Sequence, residues 1–204
     1  MEDVLKEDHQ ADKERWRKRM GGIWRSITED NRRRWSQLAC RRLNALLGAL
    51  GTRSVGVYAP VRGETDIGWF WKPEAVKSRA LYFPRISEKS MTFHVAEDPE
   101  KDLSPGVFGI PAPSSASPSI SPFALDAVVL PGLAFDVSGA RIGSGGGYYD
   151  RLFAPAEFRP PLVGLGFAFQ LSWEKPLPSG SFDVLLDWVV TDREAVRCLP
   201  CFYS

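Results

Sequence analysis

The sequence predicts an α/β domain with a largely parallel central sheet, and three observations carry that expectation. At 204 residues and 44% hydrophobic content the chain suits one globular domain with a substantial core. Its opening third carries apolar residues at helical spacing. Beyond residue 53 the pattern changes to short apolar runs separated by turns and helical stretches, the alternation that builds parallel sheets with covered faces.

Residues 1–11 show no apolar period and are read as a flexible leader, which leaves residues 12–204 as a single domain. From Asp12 to Ile27 the residues Trp16, Met20, Ile23, Trp24 and Ile27 mark one face of a helix. Thr28 followed by Glu29 and Asp30 is a helix start, a hydroxyl cap with acids at the positive end of the dipole. The second helix presents Trp35, Leu38, Ala39, Leu43, Leu46, Leu47 and Leu50 on one face. Arg53–Ala59 is then expected as a strand, Asp66–Val76 as a helix, and Ala80–Ile86 and Met91–Ala96 as strands. Residues 111–122 hold nine Pro or Ser in twelve and are expected to form a loop. Asp126–Leu130, Leu162–Ala168 and Trp188–Thr191 supply the remaining strands.

Composition excludes several classes. The 26 basic and 25 acidic residues nearly cancel, so net charge selects no partner. Between Lys13 and Arg42, however, 11 Lys or Arg face only Glu14, Glu29 and Asp30, so the first helices are basic. There is no apolar run of about 18 residues to span a membrane, and the polar start is unlike a signal peptide. Three cysteines, Cys40, Cys198 and Cys201, make no disulfide framework. A reduced, cytoplasmic protein is expected. Cys198 and Cys201 form a lone CxxC without a second pair, a weak basis for a metal or redox site.

The informative segment is AVVLPGLAFDVSGARIGSGGGYYDRLF, Ala127–Phe153. Five of the nine residues from Gly139 to Gly147 are glycine, a density that lets backbone N–H groups crowd an anion. Arg141 adds a permanent charge able to grip phosphate in bidentate fashion. Asp150 places a hard carboxylate just beyond the loop, where magnesium on a polyphosphate needs one. The loop is neither a Walker A motif nor a dinucleotide fingerprint. Glycine content alone would equally suit a flexible turn between strands; Arg141, the two tyrosines and Asp150 shift the balance towards a phosphate site.

The pattern PGLAFDxxGxRIGxGGGYYDR closely resembles the signature of the 5-formyltetrahydrofolate cyclo-ligase family, also called methenyltetrahydrofolate synthetases. Further family features follow in order: Lys13-x-x-x-Arg17, Tyr58-Ala-Pro with Glu64-Thr-Asp, Phe83-Pro84-Arg85, Gly109-Ile110-Pro111, Gly166–Gln170 and Asp183 with Val190-Thr191-Asp192. The likeness covers about residues 13–192. It implies a three-layer α/β/α fold with N-terminal helices. It also implies ATP- and Mg²⁺-dependent conversion of 5-formyltetrahydrofolate to 5,10-methenyltetrahydrofolate, with ADP and phosphate released.

The resemblance assigns roles. Lys13 and Arg17, four apart on one helix face, would contact ATP with Arg141, Ile142, Gly143, Ser144, Gly145, Gly146, Gly147, Tyr148 and Tyr149. Ala59 and Glu64 would contact the folate, as would Ser144 to Tyr148; Phe108 is added as an aromatic able to stack on a flat ring. Arg141 and Tyr149 are the catalytic candidates, and Asp150 and Asp183 the Mg²⁺ ligands. Ala112 stands where the family often has an acid or amide, and Ser144 and Gly146 where some members carry bulkier or basic residues. Two alternatives remain open: a relative that binds nucleotide or folate without turnover, and an RNA-binding module on the basic helices. No RNA-binding motif supports the second. A monomer or weak homodimer, with no membrane partner, is expected.

Overall fold

The computed structural model describes residues 2–61, 63–71, 79–87 and 90–199. Two long helices open the chain, α1 (Glu2–Ser26) and α2 (Glu29–Ala49). Thr28 caps α2 as its sequence predicts, its hydroxyl accepting from Asn31 N at 3.4 Å. Helix α1 takes in residues 2–11, the stretch read from the sequence as a leader. Those residues lack an apolar face, but the run of Glu, Lys, Gln and Ala has good helix propensity and extends a helix anchored further along. No helix among the described residues is long and apolar enough to cross a membrane.

The strands are β1 (Ser54–Gly56), β2 (Ala80–Ile86), β3 (Met91–Val95), β4 (Ser104–Pro105), β5 (Pro111–Ala112) and β6 (Ser119–Ile120). They continue with β7 (Ala127–Pro131), β8 (Ala134–Asp136), β9 (Arg141–Ile142) and β10 (Leu162–Leu165). Last come β11 (Leu171–Ser172), β12 (Trp188–Val190) and β13 (Ala195–Arg197). Eight of them form one sheet in the order β13-β12-β10-β7-β1-β2-β3-β6. The central run from β12 to β2 is parallel, and the margins β13, β3 and β6 are antiparallel.

Alternate side chains of the central strands feed two cores, as the period of two requires. In β7, Ala127 and Val129 face α2 with Leu43, Leu47, Val55 and Val163. Val128 and Leu130 face the other way, with Leu162, Phe135, Phe153 and Leu186. That second face is covered by a short helix, α3 (Tyr148–Phe153), and by a three-stranded sheet in the order β11-β8-β9. Met20 of α1 packs on this small sheet through Ala134, Ala140 and Ile142. Three layers are therefore present, one of them part sheet and part helix. Strands β8 and β9 pair antiparallel inside the Gly-rich segment, a hairpin that its apolar content does not announce.

Two other expectations change. The 111–122 loop contains β5 and β6, and β6 adds an edge strand to the main sheet through Phe93–Ile120 and His94–Ser119. Of the helix expected at Asp66–Val76, residues Ile67–Trp69 form one 3₁₀ turn capped by Asp66, whose Oδ1 accepts from Gly68 N at 2.7 Å. Residues 72–76 lie outside the described residues, as does Cys201.

Candidate active site

The carboxyl ends of parallel strands diverge where the chain runs to opposite sides of a starting strand, and crevices form there. Here β1 is flanked by β2 and β7. Off their ends lies a cavity of about 290 Å³. Its walls are Tyr58 and Ala59 after β1, Pro84 and Ile86 of β2, Pro131 at the end of β7 with Gly132 and Leu133 after it, the loop from Arg141 to Asp150, and α1 with Asp183.

Helix α1 delivers the first two cations. Lys13, Arg17, Met20 and Trp24 share one face; Met20 is buried against the small sheet, and Trp24 stacks on Phe167 at 5.1 Å and 3°. That anchoring turns Lys13 and Arg17 towards the Gly-rich loop, where Arg17 Nε donates to Gly143 O at 3.1 Å. Lys13 Nζ donates to both oxygens of Asp183, at 2.7 and 2.5 Å.

Arg141 reaches the cavity from the hairpin. The buried Asp136 carboxylate fixes the turn, accepting from Ser138 N, Ser138 Oγ and Ala140 N through Oδ1 and from Leu177 N through Oδ2. Gly139 completes the turn at φ +94°, where a Cβ would lie 2.4 Å from Leu186 O, so only glycine fits. The Arg141 side chain is 6% exposed. It donates to Pro131 O at 3.2 Å and to both Asp150 oxygens at 3.1 and 3.3 Å, with its charge 5.8 Å from the centre of the Tyr149 ring. Its Nε is buried without a hydrogen-bond partner among the described residues.

Glu64 faces the same space. Its Oε2 accepts from Val61 N at 3.1 Å. Burial pushes its carboxyl up to about 7, against the pull of the Val61 hydrogen bond and the Arg141 charge. Burial and the neighbouring Glu64 together push the Tyr149 phenol well above its ordinary value, so that it keeps its proton.

The cavity thus brings together Lys13, Arg17, Ala59, Glu64, the whole stretch Arg141–Asp150 and Asp183. Phe108 is the exception. It is 76% exposed with φ +57° and is absent from the lining, where Ile110 stands instead. Its place at the tip of the β4–β5 connection, unknown to the sequence pattern, carries the ring outward. Ala112, in β5, is 5% exposed, so the small residue suits its packed position. Sequence reasoning gave no role to Gln10, which lay in the expected leader, or to Tyr58, Met91 and Leu133 in the lining, since wall residues of that kind look like any core residue. It also gave Gln170 no role. That buried amide donates to Gly132 O and Leu133 O at 2.8 and 3.1 Å and accepts from Phe167 N, tying the β7–β8 link in place.

A magnesium ion fits the donors present. Asp150 and Asp183 both line the cavity, and Val184 N, next in chain to Asp183, donates to Asp150 Oδ1 at 3.3 Å. Mg²⁺ is commonly held by one or two carboxylates, the rest of its octahedron coming from phosphates and water. No group of three or more His, Cys, Asp or Glu among the described residues forms an all-protein cage.

Comparison with known proteins gives a consistent result. Residues 9–192 match the model of the 5-formyltetrahydrofolate cyclo-ligase family. The chain is 30% identical over 145 residues to a mitochondrial 5-formyltetrahydrofolate cyclo-ligase of Arabidopsis thaliana, a match covering 63% of this chain and 52% of that protein. It thus spans about half the length of the plant relative. A Saccharomyces cerevisiae 5-formyltetrahydrofolate cyclo-ligase is 29% identical over 174 residues, covering 72% of this chain and 80% of the yeast protein. The NMR structure of the Aquifex aeolicus 5,10-methenyltetrahydrofolate synthetase superposes with a TM-score of 0.78 at 31% identity, covering 91% of this chain and 92% of that one.

Proposed function

The chain belongs to the 5-formyltetrahydrofolate cyclo-ligase family, and from that premise we propose that its cavity closes 5-formyltetrahydrofolate to 5,10-methenyltetrahydrofolate at the expense of ATP. The observation that carries the reading is the lining of the cavity, in which Lys13, Arg17, Arg141 and the Gly-rich loop share one space with Glu64 and apolar side chains.

A formamide carbon is a poor electrophile and its oxygen a poor leaving group. Both obstacles fall if the formyl oxygen attacks the γ-phosphorus of ATP. The bond to ADP breaks, and an iminium phosphate forms. The folate N10 then attacks the same carbon, phosphate departs with the former formyl oxygen, and the N10 proton is lost to it or to water. Charge must be neutralised around the transferring phosphoryl group, and the reactants must be held in line.

The chain's own residues meet those needs. Lys13, Arg17 and Arg141 bind phosphate oxygens, and the unpartnered Arg141 Nε is a donor that an incoming oxygen would satisfy. Backbone N–H groups of Gly143 to Tyr148 wrap the phosphates and the formyl end. Glu64, when ionised, accepts from the pterin amino group and ring N–H, with Ala59 beside it. Tyr149, kept protonated, backs Arg141. Asp150 and Asp183 would hold Mg²⁺, which when bound neutralises and orients the phosphate oxygens. A cytoplasmic monomer or weak homodimer belongs to the same proposal.

Purified protein with 5-formyltetrahydrofolate, Mg²⁺ and ATP should give the methenyl absorbance and ADP in equal amounts. ADP formed at the same rate without folate would make the protein an ATPase and end this reading.

A further inference from the structure

A second guanidinium follows Arg141 beside the Gly-rich loop. Arg151, on α3, is exposed to solvent. Side chains on a helix lean back towards its N-terminus, and that lean carries the Arg151 head over the preceding turn. Its charge lies 4.8 Å from the centre of the Tyr148 ring, and a Cβ on Gly147 would lie 2.8 Å from Arg151 Nη1. Gly147 and Tyr148 both line the cavity, so Arg151 borders it from the solvent side. The described cations of the lining are engaged: Lys13 with Asp183, Arg17 with Gly143 O and Glu14, Arg141 with Pro131 O and Asp150. The Arg151 guanidinium has no hydrogen bond or ion pair among the described residues, and its partner is the Tyr148 ring.

Pockets that enclose one drug-sized ligand run from roughly 300 to 1,000 Å³. This cavity, at about 290 Å³, has to receive the reacting ends of two substrates, so part of the folate projects from it. The formyl group must meet the γ-phosphate, which leaves the p-aminobenzoyl-glutamate beyond N10 as the projecting part. That part is a flat ring followed by two carboxylates. Tyr148 packs against the same core cluster as Ile86 and Met91, and all three line the cavity, an apolar surface for the ring. An unpaired guanidinium over Tyr148 then offers a carboxylate a bidentate partner. We infer that Arg151 receives the carboxylates of the substrate's glutamate and selects the folate over its glutamate-free form. This assignment rests on the cyclo-ligase reading above and deepens it, giving a partner to the end of the substrate that takes no part in the chemistry. A contact so far from the reacting atoms is made equally in ground and transition states, so it acts on KM and not on kcat.

Steady-state methenyl formation by the full chain at saturating MgATP tests it, with 5-formyltetrahydrofolate and 5-formyltetrahydropteroate, which lacks the glutamate, as substrates. Wild type should show a KM for the pteroate about three- to fivefold above that for the folate, the scale of an exposed ion pair. Arg151→Gln should raise the folate KM to about the pteroate value, leave the pteroate KM within about twofold, and move kcat less than KM. Arg151→Glu should raise the folate KM further through like-charge repulsion, and Arg151→Lys should recover part of the loss. An equal rise for both substrates overturns the assignment, since Arg151 would then only support the Tyr148 ring. A rise confined to the KM for ATP overturns it as well, by placing Arg151 on the nucleotide. Equal KM values for folate and pteroate in wild type overturn it without recourse to any variant. Methenyl product from neither substrate ends the cyclo-ligase reading and the assignment with it, whereas turnover indifferent to the glutamate ends the assignment alone.

Discussion

Glu64 shows how placement changes what a side chain can do. In the sequence it is an acid in a turn; in the fold burial lifts its carboxyl from 4.5 to about 7. If the folate pterin is held by the ionised form, affinity should be level above pH 7 and fall about tenfold per pH unit below it. Glu64→Gln should bind more weakly with a flat profile, measured by folate titration between pH 5.5 and 8.5; a flat wild-type profile would detach Glu64 from the pterin. Stability follows the same proton. The folded carboxyl binds it more tightly than the unfolded chain does, so its contribution is complete below about pH 4.3 and is lost as pH rises through 7. Ligand-free Glu64→Gln should therefore be the more stable protein at pH 8, by about 1–3 kcal/mol, with the difference closing towards pH 4. Urea unfolding at both pH values reads this directly.

The β8–β9 hairpin sets the position of Arg141. Asp136 gathers four donors at its turn, and Gly139 occupies a conformation with Leu186 O too close for any side chain. Gly139→Ala should cost about 1–3 kcal/mol through left-handed strain and displaced backbone. It should also weaken nucleotide binding, since a shifted turn moves the guanidinium two residues on. Denaturant midpoints and calorimetry would show both losses. A destabilised variant with intact nucleotide affinity would mean that Arg141 is positioned from the Asp150 side instead.

The cavity is assembled from distant parts of the chain: α1, the turn after β1, the hairpin and loop after β7, and Asp183. Lys13 and Asp183 meet across 170 residues. A ligand seated there ties these parts together and stabilises the whole fold by mass action. Nucleotide with Mg²⁺ at a hundred times its dissociation constant should add about 2.7 kcal/mol, or about 5–10 °C in Tm for a domain of this size. Thermal melts at increasing ligand check this, and a Tm indifferent to ligand would place nucleotide outside the cavity.

Period and local chemistry along the chain were enough to specify the two opening helices, the Thr28 cap, the buried runs of β7, β10 and β12, and the Gly-rich loop with its charged neighbours. These rest on contacts within a few residues, which sequence spacing records. The hairpin inside the Gly-rich segment, the edge strand at Ser119–Ile120, the outward placement of Phe108 and the raised Glu64 carboxyl were not legible in that way. Nor were the pairings Lys13–Asp183 and Arg141–Asp150. Each depends on what lies across space from a residue, and burial and charge partners are fixed only when sheet order brings distant segments together. Residue types and their local order thus belong to the sequence. Which cation meets which carboxylate, and how much water reaches them, belongs to the packed fold.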